Sequence, residues 1–481
     1  MCLQDISLLI AITLFGICAV RQWESVAGIQ LLLVLVASIF IYTSVRNSEI
    51  FSFTNFLWVL IAGAALQSIY AWLLFLGAFT FMDLRSTVLF GGFLQPNLLA
   101  SFLATALAAV GVLLEDTEQK CVLNKRLSLY GPLFLIFVTL LSIGSRTGWI
   151  AMTLVAVLTF FWLGAKSRCA YINVFVMSLL TTLALQLVIP ELNTRLTNKA
   201  TMATPRYEMW DVTLSMIMEQ PIFGYGLEAF NREYTETVAS IIAQGGDANP
   251  FPGLDHPHNF VLNWWFIGGL GTVIAFFIVA AWHLWALSKI SPQKRLFFLA
   301  LMTPIYLHMQ TEFPFRLSPV HLLLVVCIMA FLSTTAFQQT KKLQITSVVS
   351  KSLGTSVYTL IAIAGVFLLL ESSNSWHIFR ATKLPEQYAT DLQKVVLPTA
   401  SLERYDDAIA IVSMQRARAS GNLTYYYHFA DWAEQKIVKT PRPEIYEALI
   451  EAHKALGNHI SAQRFFEEMV HLFPNTKTRF K

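Results

Sequence analysis

The side chains best suited to chemistry are concentrated in residues 255–265, which read Asp-His-Pro-His-Asn-Phe-Val-Leu-Asn-Trp-Trp. Asn259 and Asn263 are four positions apart, so on a helix they share one face, with His258 at its edge. Leu262 and the two tryptophans are typical of the boundary between water and lipid. The pattern predicts an imidazole at that boundary, where a polar group is by default a candidate functional residue. The competing interpretation is a histidine that only hydrogen-bonds a loop.

An imidazole in this position could transfer protons or bind a metal ion. Asp255, His256 and His258 could together form a metal site, but Pro257 restricts the backbone and no third histidine is adjacent. The loops predicted to lie outside the membrane also contain no Asp-x-Asp pair. The sequence therefore favours a proton-transfer site that uses no metal ion and no cofactor.

Two arginines stand in segments that could bind an anion. Arg146 lies in residues 142–148, Ser-Ile-Gly-Ser-Arg-Thr-Gly, and Arg206 lies in residues 205–210, which end in Trp210. A guanidinium group presents a rigid fork of donors that matches phosphate oxygens. Each arginine alone could be an interfacial anchor, but the two together favour an anion clamp.

Residues 91–97, Gly-Gly-Phe-Leu-Gln-Pro-Asn, interrupt an otherwise apolar run with flexible and polar side chains. Irregular backbone at membrane depth requires protein or a water-filled cavity to satisfy it. Gln95 and Asn97 are therefore candidates for lining a substrate cavity, the alternative being that they cap a kink. Glu312 is predicted on the same side, where it could orient His258 or pair with Arg316.

The elements that position these residues are membrane helices. Of the 481 residues, 55% are hydrophobic and only 13% are charged, against about 25% charged in soluble domains. Eleven apolar runs approach the length of about 20 residues that spans a membrane. The run 260–288 is too long for one plain crossing, and the first run lacks the features of a signal peptide, so we expect it to be retained. The runs are 5–20, 27–45, 56–80, 88–113, 128–144, 148–164, 171–189, 260–288, 296–311, 318–337 and 353–372.

The distribution of basic residues predicts the orientation, because lysine and arginine resist translocation. With a cytoplasmic N-terminus, the short inside loops hold twelve basic residues and the short outside loops only four. The net charge of +4 mostly reflects this anchoring and is no evidence for a nucleic-acid partner. The inside residues are Arg46, Lys120, Lys125, Arg126, Lys166, Arg168, Lys289, Lys294, Arg295, Lys341, Lys342 and Lys351, and the outside ones are Arg21, Arg85, Arg146 and Arg316.

Four domains are predicted: a membrane block over 1–189, an outer loop over 190–257, a second membrane block over 258–372 and a helical domain over 373–481. In the last, Thr440 and Pro441 suit a helix start and Gly457 suits a helix stop. We expect no disulfide in the loop or the helical domain, because the five cysteines lie elsewhere, at Cys2, Cys18, Cys121, Cys169 and Cys327.

The end of the chain has the spacing of one tetratricopeptide repeat, a helical hairpin of 34 residues. In this interpretation small Ala462 lets two helices approach and Phe466 fills the gap. A lone repeat cannot bury its apolar face, so helices near 401–419 and 423–438 are expected to stack on it. A generic helical bundle is the alternative. The spacing is carried by Tyr446, Leu449, Gly457, Ala462, Phe466 and Pro474.

Several segments, in this order, resemble the O-antigen ligase and polymerase superfamily of bacterial membrane proteins, and within it the protein O-oligosaccharyltransferases. The Glu312-x-Pro314 element and a helical tail favour the protein-glycosylating branch. Relatives often carry a tyrosine near that element, whereas phenylalanines flank it here, which leaves a tyrosine role unassigned. The resemblance rests on residues 92–97, residues 145–148, Arg206 with Trp210, residues 221–226 (Pro-Ile-Phe-Gly-Tyr-Gly) and, above all, residues 258–262 (His-Asn-Phe-Val-Leu).

The resemblance implies an all-α polytopic membrane protein of the bacterial inner membrane, with the active site and the C-terminal domain on the periplasmic side. It implies transfer of an undecaprenyl-diphosphate-linked oligosaccharide to serine or threonine hydroxyls of periplasmic or pilin proteins, without a metal ion. His258 would be the essential histidine, and Arg146 and Arg206 would contact the diphosphate. The implied substrate-binding residues are Gln95, Asn97, Asn259, Glu312 and Trp210.

The predicted chemistry is a direct displacement with inversion, in which His258 removes the hydroxyl proton. This scheme expects the imidazole and both guanidinium groups to converge on one pocket. Two alternatives use the same donor: an O-antigen ligase that acts on lipid A core and an O-antigen polymerase. A transporter of the lipid-linked glycan is the alternative from another class, although the sequence shows no internal repeat of the kind common in transporters.

Overall fold

Every regular element in the described part of the chain is a helix, which confirms the predicted all-α class. The computed structural model describes residues 3–77, 88–120, 123–192, 206–248, 251–337, 346–383, 388–398 and 402–474. The predictions made on Cys2, Arg85, Cys121, Lys341 and Lys342 lie outside these residues.

The α-helices follow one another along the chain, with a short 3-10 helix at Gly91–Phe93. They are α1 (Leu3–Val20), α2 (Val26–Asn47), α3 (Phe53–Phe75), α4 (Pro96–Gln119), α5 (Leu123–Ile143), α6 (Arg146–Trp162), α7 (Ala165–Val188), α8 (Arg206–Glu219), α9 (Phe230–Ala243), α10 (Phe260–Ser288), α11 (Pro292–Met309), α12 (Pro314–Leu317), α13 (Pro319–Ala336), α14 (Ser347–Lys383), α15 (Tyr388–Gln393), α16 (Leu402–Ser420), α17 (Leu423–Lys439), α18 (Pro443–Ala455) and α19 (His459–Leu472).

In the described residues, each of the eleven predicted apolar runs lies largely on a helix, although residues 88–95 of the fourth run precede α4. Eight helices among the described residues are long and apolar enough to cross a membrane, namely α2, α3, α4, α5, α7, α10, α13 and α14. Helices α1 and α6 are apolar but shorter, and α11 carries Lys294 and Arg295 in its first turn. The protein is a multi-pass membrane protein, and the count of eleven crossings stays a prediction.

The chain divides into two compact units, each assembled from three separate segments. The first unit contains Met1–Leu9, Leu33–Thr204 and Phe277–Ser372, and the second contains Ile10–Leu32, Pro205–Phe276 and Ser373–Lys481. The four domains proposed from the sequence stay a prediction, because this grouping follows contacts and not order along the chain.

Helix α4 forms the centre of the first unit. In its apolar stretch 89% of the residues are buried, against 6% in α2. Small side chains let its neighbour α6 approach, since a Cβ on Gly148 would lie 2.6 Å from Cβ of Ala100. A Cβ on Gly111 would likewise lie 2.5 Å from the Thr159 methyl group. Close approach through small residues is typical of helix packing in membranes.

The second unit contains an apolar core that joins α8, α9 and the first half of α10. Its buried side chains come from sequence-distant segments, so this core fixes the loop helices against the helix that follows the histidine segment. The members are Cys18, Met209, Val212, Met216, Ile217, Phe230, Tyr234, Val238, Phe266 and Ile267.

Helices α16 to α19 share a second apolar core in the same unit. The structure corrects the predicted helix start at Thr440 and Pro441, because α18 begins at Pro443 with Arg442 as its N-cap. A residue that precedes proline is disfavoured in the helical conformation, so the helix starts after Arg442. The predicted stop is confirmed by Gly457, which has a φ of 77° just beyond α18.

Within this hairpin Ala462 is buried as expected, but Phe465 is the more deeply buried aromatic residue and Phe466 packs at the edge of the core. The expected helices before the hairpin are present as α16 and α17. The assignment of the hairpin as a tetratricopeptide repeat stays a prediction.

Candidate active site

A kink divides α10, the helix that follows the histidine segment. Gly269 has φ 65° and ψ −158° in the middle of this helix, a conformation that is accessible essentially only to glycine. A Cβ at this position would also lie 2.1 Å from the carbonyl oxygen of Ile222. The break that the length of the run predicted therefore lies at Gly269.

Residues 221–226 supply the hydrogen bonds that the kink removes from α10. Two backbone N–H groups of this segment donate to the carbonyls of Phe266 and Ile267 at 2.8 and 2.9 Å. In the reverse direction, Leu270 N–H donates to the carbonyl of Pro221 at 2.9 Å. Broken backbone inside a membrane requires such internal partners, so the Pro-Ile-Phe-Gly-Tyr-Gly motif stabilises the broken helix.

His258 lies two residues before α10 in the left-handed backbone region, with φ 48°. Its neighbours hold it there, since Trp210 Nε1 donates to the carbonyl of Pro257 at 2.9 Å. On the other side, Asn259 Oδ1 accepts from two N–H groups in the first turn of α10 at 3.0 and 3.1 Å. Non-glycine residues adopt this region rarely, and such residues concentrate at functional sites.

The structure corrects the predicted place of Asn259, which is the N-cap of α10 and does not lie on a helix face. Asparagine is a preferred N-cap because its side chain satisfies amides that lack helical partners. Asn263 lies inside the helix and is 1% exposed. Its Nδ2 is buried without a hydrogen-bond partner among the described residues, so this amide is available to a bound polar group.

His256 packs against His258, with ring centroids 4.4 Å apart and planes inclined by 60°. His256 is buried, and its Nδ1 lies 2.7 Å from Oδ1 of the exposed Asp255. A carboxylate on Nδ1 fixes the imidazole orientation and leaves Nε2 as the acceptor in the neutral ring. These three side chains have the chemistry of metal ligands as well as of a proton acceptor.

Arg206 is the first residue of α8 and is half-buried. One turn later on the same helix, Trp210 makes the hydrogen bond to the residue before His258. The structure therefore brings the Arg206 helix and the histidine segment together, as the resemblance implied. A helix N-terminus carries a positive partial charge and free N–H groups, which adds to the attraction of a guanidinium for an anion.

Arg146 is exposed and begins α6 in the first unit. The preceding Ser145 caps this helix by accepting from Gly148 N–H at 3.0 Å, and it donates to Asn97 Oδ1 at 2.8 Å. The two candidate arginines thus share a feature that the sequence did not show, since each begins a helix. Asn97 is tied directly to the Arg146 turn.

Residues 91–97 form an irregular entry into α4, as predicted. Leu94 has a left-handed φ of 59°, and Gln67 Oε1 accepts from Gly92 N–H at 2.8 Å. Gln95 occupies the N-cap position of α4 but makes no capping hydrogen bond with its side chain. Its Oε1 is buried without a hydrogen-bond partner among the described residues.

Glu312 is 7% exposed and follows the last turn of α11, where its N–H donates to the carbonyl of His308 at 2.9 Å. The hydroxyl groups of neighbouring Thr311 and Thr147 are 3.4 Å apart. Because Thr147 adjoins Arg146, the first unit brings together the Gln95, Arg146 and Glu312 segments. The predicted convergence of these residues with His258 stays a prediction.

The sequence analysis missed a buried polar network below these segments. Ser101 Oγ lies 2.8 Å from His308 Nδ1 and 2.9 Å from His321 Nε2, and His321 Nδ1 lies 2.9 Å from Ser318 Oγ. All four side chains are at most 2% exposed. The available signal was a histidine in each of two apolar helices, since ionisable groups at such depth are rarely unpaired.

The fold and the site define a multi-pass membrane protein in which a histidine with a left-handed backbone conformation directly precedes a broken helix. Residues 131–277 match the family model described as O-antigen ligase. Residues 296–481 match the model described as virulence factor membrane-bound polymerase, C-terminal. The chain belongs to the O-antigen ligase superfamily.

Both matches support a glycosyl-transfer function of the O-antigen ligase or polymerase type. Neither the curated proteins nor the solved structures contain a match to this chain. The protein O-oligosaccharyltransferase branch and the roles of individual residues stay predictions.

Proposed function

We propose that this protein transfers an oligosaccharide from an undecaprenyl diphosphate carrier to serine or threonine hydroxyls of periplasmic or pilin proteins. The observation that carries this proposal is the strained His258, held between Trp210 and the cap of a broken membrane helix. The predicted surplus of basic residues on the other side of the membrane favours a periplasmic position for this site.

The proposed reaction is a displacement at the anomeric carbon of the first sugar. The acceptor oxygen forms a bond to that carbon while the bond from the carbon to the diphosphate oxygen breaks, and the electron pair leaves with the diphosphate. His258 takes the proton of the hydroxyl, a role worth typically 10²- to 10⁴-fold in rate. Attack from the opposite face inverts the configuration of the anomeric carbon.

Arg146 and Arg206 stabilise the diphosphate as it leaves. Each guanidinium stands at a helix N-terminus, where both the fork of donors and the helix dipole favour negative charge. Such fixed donors contribute most where charge develops in the transition state. The other candidate residues position the substrates, either directly or through the segments that they hold. They are Gln95, Asn97, Asn259, Asn263, Trp210 and Glu312.

The acceptor separates this proposal from its closest alternatives. The Glu312-x-Pro314 element and the helical tail favour a protein acceptor. The match of residues 296–481 to a polymerase model favours a second candidate, in which the acceptor is another lipid-linked glycan. The donor and the chemistry are the same in both cases, and the transporter alternative predicts no covalent product.

A comparison of cells with and without this protein tests the acceptor. We expect mass spectrometry of periplasmic and pilus proteins to lose an oligosaccharide on serine or threonine when the protein is absent, with lipopolysaccharide unchanged. Loss of long-chain lipopolysaccharide with intact glycoproteins would replace the proposal by the ligase or polymerase function. A chelator should leave glycan transfer by the purified protein unchanged. Loss of transfer on addition of the chelator would contradict a metal-independent reaction.

A further inference from the structure

The exposed surface of α8 is divided lengthwise into an apolar and a polar stripe. Tyr207, Leu214 and Met218 are exposed and lie seven and four positions apart, which places them on one face of the helix. The polar stripe beside it contains Ser215 and Glu219, also exposed and spaced by four, and Asp211 lies at the border between the two stripes.

The remaining face of α8 is buried in the core of the second unit. Met209, Val212, Met216 and Ile217 all belong to that core. Their packing against α9 and α10 fixes the rotation of α8 about its axis. The apolar stripe therefore stays exposed within this unit, with Tyr207 at 65% and Met218 at 70% relative exposure.

The apolar stripe continues into Ile222 and Phe223, which are 61% and 65% exposed. These residues belong to the segment that braces the kink of α10, a helix long and apolar enough to cross the membrane. The kink lies nine residues beyond Phe260, about 14 Å along the helix axis. The exposed side chains of the segment therefore lie beside a helix that is long and apolar enough to span the membrane.

A second attachment joins the same segment to the connection between α1 and α2. Arg21 Nη1 donates to the carbonyl of Phe223 at 2.7 Å, and Leu227 N–H donates to Gln22 Oε1 at 2.7 Å. These two side chains belong to the short connection between the apolar helices α1 and α2. Such a connection lies at a membrane surface, where the exposed Trp23 is a typical anchor.

We propose that α8 lies in the membrane interface, with Tyr207, Met218 and Phe223 in contact with lipid and Ser215 and Glu219 facing water. An amphipathic helix with this division binds along the boundary between headgroups and acyl chains. The occupant of the stripe is the bilayer because the stripe is continuous with helices that the bilayer already surrounds. One consequence rests on the proposed function: Arg206, the first residue of α8, stands at the level of the diphosphate of a lipid-linked donor.

Photocrosslinking of the full-length protein in vesicles of phosphatidylethanolamine and phosphatidylglycerol tests this contact. p-Benzoylphenylalanine in place of Tyr207, Met218 or Phe223 should give covalent phospholipid adducts in mass spectra. The same probe in place of Ser215 or Glu219, on the same helix, is the matched control and should give none above background. All five side chains are exposed, so the replacements remove little packing, and thermal unfolding of each variant checks the fold.

Adducts of equal yield at all five positions, or no adducts at Tyr207, Met218 and Phe223, would overturn the proposal. Crosslinks from these three positions to a second copy of the chain would instead identify a protein interface. Glycosyl transfer takes no part in this measurement, so its outcome is independent of the proposed reaction.

Discussion

Arg146 and Arg206 combine two sources of attraction for an anion. Both begin a helix, where backbone N–H groups lack intrahelical partners and carry positive partial charge. Lysine would keep the charge but lose the planar fork that binds two oxygens at once. The arginine side chain itself therefore matters at these positions, and not only its charge.

We expect Arg146→Lys and Arg206→Lys each to lower kcat/KM about 10- to 100-fold, the equivalent of one lost charged hydrogen bond of about 1.5 to 3 kcal/mol. The exposed Arg316 provides a matched control, because Arg316→Lys alters an arginine outside the proposed clamp. Steady-state transfer rates measure the effect. Equal activity of all three variants and the wild type would remove the diphosphate role.

Ser101 has a structural role that follows from its position between two buried imidazoles. Ser101→Ala removes the hydroxyl that His308 Nδ1 and His321 Nε2 both contact, and it adds no volume. A buried polar group left without a partner costs about 1 to 3 kcal/mol, so we expect a loss of that size in the free energy of unfolding.

Thr105→Val is the control for this variant. Among the described residues, its hydroxyl donates only to the backbone carbonyl of Ser101, one turn earlier on the same helix. Removal of this hydroxyl leaves no side chain without a partner, so unfolding in detergent should change much less. A larger loss in Thr105→Val than in Ser101→Ala would contradict the role of the network.

At the scale of elements, the kink in α10 is the point where residues 221–226, which follow α8, bond to this membrane helix. Gly269→Ala should destabilise the fold by at least about 3 kcal/mol, because the backbone conformation is closed to alanine and its Cβ would meet the Ile222 carbonyl. Gly271→Ala is the matched control, since its Cβ would meet open space in the same helix. The yield and unfolding temperature of the purified variants measure this difference, and similar values for both would show that the kink is dispensable.

Much of the position and length of the helices could be predicted from the sequence. Apolar runs place every membrane helix, and the length of 260–288 predicts a break because it exceeds one crossing. The partner of the break could not be predicted, since it depends on contacts of residues 221–226 with a helix more than forty residues away in the sequence. Asn259 was misplaced for a local reason: periodicity does not show whether an asparagine begins a helix or caps it.

The residue types of the candidate site stay a prediction from the sequence, and the structure shows part of how these residues are arranged. Two contacts agree with the expected grouping of the candidate site residues. Trp210 bonds to the histidine segment, and Asn97 bonds to the turn that precedes Arg146. The Ser101 network was not foreseen, because each member is a single polar residue in an apolar helix and only packing shows that they meet. The spacing of residues along the sequence does not predict which side chains on different helices are in contact.

At the scale of the molecule, the tail is attached to the loop helices of its own unit. Arg232 on α9 and Tyr446 on α18 both bond to Glu468 of α19, at 3.0 and 2.7 Å. Burial alone would lower the pKa of Arg232, but hydrogen bonds with Glu468 and Glu236 outweigh it and raise the pKa. Burial and the Glu468 bond both raise the pKa of Tyr446. These protonation states keep the attachment intact at neutral pH.

Glu468→Gln should therefore loosen the tail from α9, with a loss of about 1 to 3 kcal/mol as expected for charged hydrogen bonds. The adjacent Glu467 is exposed, and among the described residues it accepts a hydrogen bond only from Gln463 on its own helix, so Glu467→Gln serves as the control. Limited proteolysis of the tail reports the loosening. Equal protection of both variants would show that the tail attaches by its apolar contacts alone.

The most direct test of the central claim is transfer by the purified protein with His258→Asn. Asparagine tolerates the left-handed backbone of this position better than most residues but cannot act as a base. With an undecaprenyl-diphosphate-linked glycan and a pilin acceptor, we predict a kcat lower by about 10²- to 10⁴-fold, with an unchanged unfolding temperature. A His258→Asn protein that transfers the glycan at the wild-type rate would contradict the role of the imidazole.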